Sequence, residues 1–241
     1  SGPPGRMWTR CAPPVPEPSG ARALAIHLHR DDLPSDISFG DSVAIDTETM
    51  GLNPMRDRLC LVQLSAGDGD AHLVQIRPGG PEAIHLKALL SDRSVLKIFH
   101  FGRFDIAALR HGLGAETAPV FCTKIASRLC RTYTDRHGLK DLCRELLGVD
   151  ISKQQQSSDW GAEELTEAQM EYAASDVLHL HRLVAALRPM LAREGRADIP
   201  GLLRLPARAR GAGPCGLAGD RHICPFMKQT ASSAIHCHGQ Q

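Results

Sequence analysis

Apolar and β-branched residues cluster in three runs in the first third of the chain, and each run is bounded by Gly, Pro, Asn or Asp. The runs cover 42–49 (SVAIDTET), 58–66 (RLCLVQLSA) and 71–76 (AHLVQI), and they predict three strands. Their links are short, with Gly51 and Asn53-Pro54 as turn formers in the first and GDGD as the second. Because short links join neighbouring antiparallel strands, the pattern predicts an antiparallel meander.

Apolar residues recur at helical spacing through much of the remaining chain. Gly112 and Gly148 follow two of these segments and predict helix ends. The last segment predicts a long helix that opens at Leu165-Thr166 and runs to about Arg193, unless Pro189 bends or ends it earlier. In order, the elements predicted after the meander are a helix over 82–92, a strand over 95–101, a helix over 103–111, a short strand at 120–123, helices over 123–132 and 138–147, a polar loop over 152–160, and the long helix.

This order of strands first and helices later predicts an α/β fold. We expect a mixed sheet of about five strands, the first three antiparallel, flanked by helices. Residues 1–21 are rich in Pro and Gly and predict a disordered leader. Residues 197–241 turn to Pro, Gly, Ala and Arg without periodicity and predict an irregular tail. The folded domain is therefore expected over 22–196.

Charge and composition narrow the function only slightly. The formal net charge is +1, which gives no global positive field, although a short nucleic acid needs only a local groove. No run of 18 apolar residues occurs, so we expect no membrane partner. The eight cysteines form no C-x-x-C pair, which favours free thiols in the cytoplasm over a disulfide framework. Cysteines and histidines mix in the tail, but their spacing matches no common zinc site.

Two carboxylates stand in the first predicted strand. Asp46 and Glu48 are two apart, so both side chains point from one sheet face and Thr47 points from the other. The strand is otherwise built of Val, Ala and Ile, and buried carboxylates need compensating partners. A divalent cation would supply that compensation. The alternative is a strand end that emerges into solvent.

Three further residues could join this pair. Asp105 opens a helix after the fourth strand, where open α/β sheets place ligands, although the helix dipole alone also favours an acid there. Tyr172 and Asp176 lie four apart and share a helix face, which also fits an ordinary half-buried pair. Four carboxylates are the oxygen ligands that Mg²⁺ or Mn²⁺ prefers, and a phenol can orient a water for attack on phosphorus. Together they predict a phosphodiesterase site with two divalent cations.

The same residues lie in motifs that resemble those of a known family. AIDTET, HFGRFD and YAASD are similar to the three motifs of the DEDDy 3′–5′ exonucleases of the ribonuclease D type, within the ribonuclease H-like superfamily. The similarity covers about residues 25–196 and, through runs such as KIFHFGRFD and SKQQQSSDW, is greatest to the compact nano-RNase C branch. Tyr172 stands where a related branch has histidine. The segment after Trp160 lacks the R-P-L of larger ribonuclease D proteins, and the tail from about residue 206 differs from the family's ending.

The resemblance implies a ribonuclease H-like 3′–5′ exonuclease domain over 22–196. Its four carboxylates would bind two Mg²⁺ or Mn²⁺ ions, and Tyr172 would hold the attacking water. The implied reaction releases nucleoside 5′-monophosphates from very short RNA, dinucleotides included. The implied assembly is a ring-like homo-oligomer, an octamer in that branch.

Substrate contacts are expected from a wider set. By resemblance, Leu52 is an apolar wedge between two bases, whereas the sequence alone also allows a core leucine. Phe104 could pack in the core or against a base. The polar loop could line the substrate or an oligomer contact, or Asp159 could cap a helix. Including the basic groups that match phosphate oxygens, the expected contacts are Thr47, Leu52, His100, Arg103, Phe104, Arg136, His137, Lys140, Lys153, Gln156 and Trp160.

Two other functions compete with this expectation. A broader ribonuclease D-like enzyme would trim RNA 3′ ends and also act on DNA. Long structured substrates usually require accessory RNA-binding domains or strong positive charge, and neither is evident here. The second alternative is an inactive module that binds nucleic acid or a partner, which the presence of all five catalytic residues disfavours.

Overall fold

Six strands form one mixed sheet in the order β1-β4-β3-β2-β5-β6. The structure, a computed structural model, describes residues 25–53, 55–151, 155 and 157–197. β2, β3 and β4 pair antiparallel, which confirms the predicted meander, and β1, β5 and β6 join through parallel pairs. The strands are β1 (Ile26–Arg30), β2 (Ser42–Thr49), β3 (Leu59–Ser65), β4 (Ala71–Gln75), β5 (Leu96–Phe99) and β6 (Val120–Cys122).

Helices cover both faces of this sheet. Successive residues of β2 alternate between them: Val43 and Ile45 pack with α1 and α2, and Ala44 packs with α3, α5 and α6. The mixed α/β class with flanking helices is therefore confirmed. The helices are α1 (Ile84–Ser91), α2 (Arg103–Leu113), α3 (Thr123–Cys130), α4 (Leu139–Leu142) with a π-helical turn after it (Cys143–Leu147), α5 (Glu167–Leu178) and α6 (Leu180–Arg193).

β1 is an edge strand that the apolar pattern did not predict, so the sheet has six strands rather than about five. Its sequence IHLHR leaves three of five residues exposed. His27 and His29 of β1 stack on His72 of β4, with ring centroids 4.9 and 5.3 Å apart. Nε2 of His29 and Nδ1 of His72 are 3.0 Å apart, within hydrogen-bond distance. Contacts between polar rings thus help to hold this edge, and an apolar pattern does not report them.

The prediction that the helix after β5 stops at Gly112 is wrong, because α2 continues to Leu113. Gly114 supplies the left-handed cap, with φ of 68°. Gly112 instead lies where the helix crosses β3: a Cβ there would stand 2.9 Å from Cβ of Leu59. Gly148 follows the π-helical turn with φ of 70° and caps it as predicted.

The predicted long helix is two helices, α5 and α6, with a break at His179. It ends at Arg193 as expected, and Pro189 lies inside α6 without ending it. α5 begins with a capping box in which Thr166 and Gln169 exchange hydrogen bonds. α5 packs across β2, β3 and β4, whereas α6 packs on α3. Tyr172 and Asp176 are thereby carried over the strand that holds Asp46.

The remaining sequence predictions concern thiols, membranes and chain ends. Cys60, Cys122, Cys130 and Cys143 are free, as predicted, and all four are buried. The described part of the chain contains no helix long and apolar enough to cross a membrane. The leader, the tail and its cysteine–histidine cluster lie outside the described residues. The domain boundaries at 22 and 196 therefore stay predictions.

Candidate active site

The carboxyl ends of β2, β5 and β6 meet at one edge of the sheet, since the three strands are parallel. A cavity of about 720 Å³ opens at this edge. Asp46 and Glu48 enter it from β2, His100 and Phe101 from the residues that follow β5, and Lys124 from the start of α3. Tyr172 and Asp176 enter from α5. Residues that are far apart in the sequence, from Asp46 to Asp176, thus line one cavity at the strand ends, where open α/β sheets bind their ligands.

Three of the predicted metal ligands form a close group. Asp46, Glu48 and Asp176, all partly buried, each offer a carboxylate oxygen, and these oxygens lie within 4.8 Å of one another. Asp105 reaches the same end of the sheet from α2 and is buried. Oγ1 of Thr47 donates a 2.7 Å hydrogen bond to Oδ1 of Asp105. Thr47, which points away from the Asp46 side of β2, therefore anchors the fourth carboxylate.

Burial raises the pKa values of these carboxylates, and neighbouring carboxylates raise those of Asp46 and Glu48 further. Burial first, then the charges of Asp105, Asp176 and Glu48, hold the pKa of Asp46 well above its usual range. Burial and the charges of Asp176 and Asp105 raise the pKa of Glu48 to about 8. Burial raises the pKa of Asp105 to about 6, although the hydrogen bond from Thr47 opposes the rise. A divalent cation would relieve this repulsion, and carboxylate oxygens are the ligands that Mg²⁺ and Mn²⁺ prefer, so these residues fit such an ion.

Tyr172 lies beside the carboxylates on α5. Burial first, and then the charges of Asp176, Glu48 and Asp46, raise the pKa of its phenol. The phenol therefore stays protonated at neutral pH and can both donate and accept a hydrogen bond. Its ring packs on Trp160, with centroids 6.0 Å apart, and Trp160 is buried. Trp160 thus touches the cavity as a support for the tyrosine ring.

The predicted substrate contacts fall into three groups. Thr47, Leu52, His100, Phe104, Lys140 and Trp160 line the cavity. Three others do not: Arg103 is exposed on α2, Arg136 lies 3.8 Å from Glu145, and His137 is buried with Nδ1 2.8 Å from Oγ of Ser127. Lys153 and Gln156 lie outside the described residues. The polar loop reaches the cavity through Ser157 and Ser158, while Asp159 accepts a hydrogen bond from Gly161 N within a turn and Thr166 caps α5.

The exposed fraction of the Leu52 side chain decides between a contact with bases and a place in the core. The cavity is also lined by residues that were not predicted from the sequence. Leu52 is 92% exposed at the cavity rim, so it is not a core leucine. Phe104 is half-buried, packs against the core and also lines the cavity. Met50 and Phe101 are further exposed apolar residues at the rim, and Nζ of Lys124 lies 4.0 Å from the ring centroid of Phe101. Phe101 is the last residue of the predicted strand over 95–101, and Lys124 directly follows the predicted strand at 120–123, so their position at strand ends was the available signal.

Comparison with known proteins agrees with this geometry. The 3′–5′ exonuclease family matches residues 31–192, more than half of the chain. NrnC of Brucella melitensis bound to pGG is 62% identical with a TM-score of 0.70, over 73% of this chain and 86% of that one. NrnC of Brucella melitensis with bound Mg²⁺ is 61% identical with a TM-score of 0.69, over 72% and 85%.

Sequence relatives extend the comparison to larger proteins. Ribonuclease D of Gluconacetobacter diazotrophicus is 38% identical over 156 residues, which are 65% of this chain and 39% of that protein. The chain thus spans about two-fifths of the length of the curated relatives that it matches. The three motifs, the strand-end cavity and these similarities agree: the chain belongs to the 3′–5′ exonuclease family, as a ribonuclease D-like member.

Proposed function

We propose that this chain is a metal-dependent 3′–5′ exoribonuclease that hydrolyses very short RNA, dinucleotides included, to nucleoside 5′-monophosphates. The observation that carries the proposal is the group of Asp46, Glu48 and Asp176 oxygens, within 4.8 Å of one another, beside Tyr172 in one cavity. Family membership supports the direction of cleavage. The similarity to NrnC bound to pGG, a guanosine dinucleotide, supports a short substrate.

The metal site would consist of Asp46, Glu48, Asp105 and Asp176. Two Mg²⁺ or Mn²⁺ ions held there would supply an activated water and neutralise charge on the phosphate. Tyr172 would orient the attacking water through its neutral phenol. Thr47 keeps Asp105 in place and favours its charged form. Similarity to NrnC with bound Mg²⁺ supports the metal requirement.

The rest of the cavity suits a short nucleic acid. Its volume of about 720 Å³ lies in the range of small-ligand pockets. Leu52, Met50 and Phe101 offer exposed apolar surface, which bases can contact through their faces. Lys124 and Lys140 place two cations in the wall, where they match phosphate oxygens. These groups suit the bases and phosphates of a nucleic acid, and the short-RNA form of the proposal rests on the similarity to NrnC bound to pGG.

A length series tests this function. Labelled RNAs of two, three and seven nucleotides are incubated with Mn²⁺, with and without EDTA. We expect nucleoside 5′-monophosphates, the fastest turnover on the dinucleotide, and no product in EDTA. Asp105→Ala is the catalytic control, and full activity in that variant would overturn the assignment of the site. Equal rates on all three lengths would remove the short-RNA preference and leave the exonuclease.

A broader ribonuclease D-like activity is the second candidate, favoured by the 38% identity to a ribonuclease D. It predicts cleavage of longer RNA 3′ ends and of DNA. The same series, extended by a DNA dinucleotide and a structured RNA, separates the two candidates. Absence of cleavage on every substrate, with binding retained, would instead support an inactive nucleic-acid-binding module.

We further propose a ring-like homo-octamer that acts in the cytoplasm. The octamer rests on the resemblance to the nano-RNase C branch. Light scattering after gel filtration tests it, since an octamer has eight times the 26.1 kDa mass of the chain. A monomer mass at micromolar concentration would contradict the octamer without affecting the chemistry.

A further inference from the structure

One buried amide beside the carboxylates has no role in the function proposed so far. Gln63 on β3 is the register partner of Asp46 on β2 in the antiparallel pair. Directly opposed residues of such a pair project from the same sheet face, with Cβ atoms roughly 4.5–5.5 Å apart. Gln63 therefore projects from the face of Asp46, next to the centre of the site.

The Gln63 side chain is unusually placed for a polar group. It is 0% exposed, and within the described part of the chain neither Nε2 nor Oε1 has a hydrogen-bond partner. Buried amides are normally hydrogen-bonded, because an unpaired one loses its contacts with water and gains nothing. Leu61 and Leu73 occupy neighbouring positions on the same face and are fully buried. An apolar residue at position 63 would suit these neighbours better than an amide does.

The helix that packs over this position, α5, carries Tyr172 and Asp176. α5 packs on β2 and β3, and it buries Ala173 and Ala174 against the sheet. Tyr172 and Asp176 flank these two alanines in the sequence. The side chain of Gln63 thus lies between the sheet and α5, on the same face of the sheet as Asp46. An amide there is directly opposite Asp46 in the strand pair, and a metal-binding carboxylate is oriented by the hydrogen bonds it accepts from surrounding groups.

We propose that Gln63 is a positioning residue for the metal-binding carboxylates. When Asp46 binds a divalent cation, Nε2 of Gln63 donates a hydrogen bond, directly or through one buried water, to the Asp46 carboxylate. The bond favours the charged form of Asp46 and fixes its orientation toward the ion. This inference rests on the proposed function, because it assumes that Asp46 is a metal ligand.

Gln63→Met tests the inference, since methionine keeps the length of the side chain and removes the amide. We expect Mn²⁺ affinity, measured by calorimetry without substrate, to fall about tenfold or more. The melting temperature of the metal-free protein should stay the same or rise, because an unpaired buried amide has been removed. With saturating Mn²⁺, kcat on a dinucleotide should fall more than KM changes.

Gln75→Met is the matched control. Gln75 is also a buried glutamine of the sheet, but its Nε2 donates to the carbonyl oxygens of Ala162 and Glu163, and its register partner on β3 is Leu61 rather than a carboxylate. That variant should lower the melting temperature and leave Mn²⁺ affinity unchanged. The inference therefore predicts different results for Mn²⁺ affinity and for melting temperature in the two variants.

Other outcomes are equally decisive. Unchanged Mn²⁺ affinity in Gln63→Met, or loss of folding in both Gln63→Met and Gln63→Leu, would overturn the inference and make Gln63 a structural residue. If the wild-type protein itself bound no Mn²⁺ and cleaved no RNA, the proposed function would fail first. The two failures are therefore distinguishable.

Discussion

Thr47 Oγ1 donates a 2.7 Å hydrogen bond to Asp105 Oδ1, and this bond links β2 to α2 at the edge of the cavity. Two residues 58 positions apart in the sequence are thereby held as one unit. The hydroxyl stabilises the charged carboxylate and lowers its pKa, against burial that raises that pKa to about 6. Thr47 is therefore expected to act through Asp105 as well as through any contact with substrate.

Thr47→Val keeps the shape of the side chain and removes the donor. Without the hydrogen bond the pKa of Asp105 rises further, so protons compete better with the metal ion. We expect Mn²⁺ affinity to fall, and to fall more at pH 6 than at pH 8. Thr47→Ser retains the hydroxyl and should behave much like the wild type. Equal losses at both pH values would show that Thr47 does not act through the ionisation of Asp105.

Tyr172→Phe removes only the phenol oxygen and preserves the ring that packs on Trp160. Since this oxygen is proposed to orient the attacking water, we expect kcat to fall about a hundredfold or more. Mn²⁺ affinity should be unchanged, because the phenol is not one of the proposed ligands. Tyr133→Phe is the control: this second tyrosine is 75% exposed, does not line the cavity, and should retain full activity. A Tyr172→Phe enzyme with normal kcat would exclude the role.

Leu52→Ala tests the apolar rim. Because Leu52 is 92% exposed, its truncation should leave the melting temperature within about one degree, as surface changes cost little. The dinucleotide should bind less tightly, with a KM raised several-fold through the lost contact with a base. Met55→Ala provides the comparison, since Met55 is exposed nearby but does not line the cavity. Equal effects of the two changes would contradict the base contact.

Stability of the metal-free protein should depend on pH through Glu48. Its pKa rises from 4.5 to about 8 in the folded protein. Between these values the folded state binds more protons than the unfolded state, so stability falls as pH rises. Melting temperatures in EDTA should therefore decrease from about pH 5 to pH 8, and added Mg²⁺ should raise them more at pH 8. Glu48→Gln should weaken this dependence, whereas an equal Mg²⁺ effect at both pH values would contradict it.

The residues proposed for the centre of the site could be predicted because the spacing within each pair fixes which side of a strand or helix the side chains occupy. Asp46 and Glu48 alternate with Thr47 in a strand, and Tyr172 and Asp176 share a helix face, so each pair could be placed on one side of its element. The three segments were then brought together by the resemblance of their motifs to those of the ribonuclease D-type exonucleases. The mixed sheet followed from runs of apolar residues that depend little on distant contacts.

Other features depend on contacts that a single segment does not reveal. β1 is stabilised at the sheet edge by stacked histidines, and its sequence lacks the apolar run of a buried strand. The break at His179 falls within a continuous apolar face, since buried residues occur on both sides of it. The exposure of Leu52 depends on where its turn lies relative to the cavity, which neither hydrophobicity nor spacing decides.

Gly112 does not face the cavity, but the close packing of α2 on β3 at this glycine fixes the position of Asp105. It lies seven positions after Asp105 on α2, about 10 Å along the helix axis, and a Cβ there would stand 2.9 Å from Leu59. A methyl group at this point would push α2 away from β3. Because Asp105 lies on the same helix, its carboxylate would be displaced from the other three. A random screen for inactive variants should therefore recover changes at Gly112 in proteins whose carboxylates are all intact.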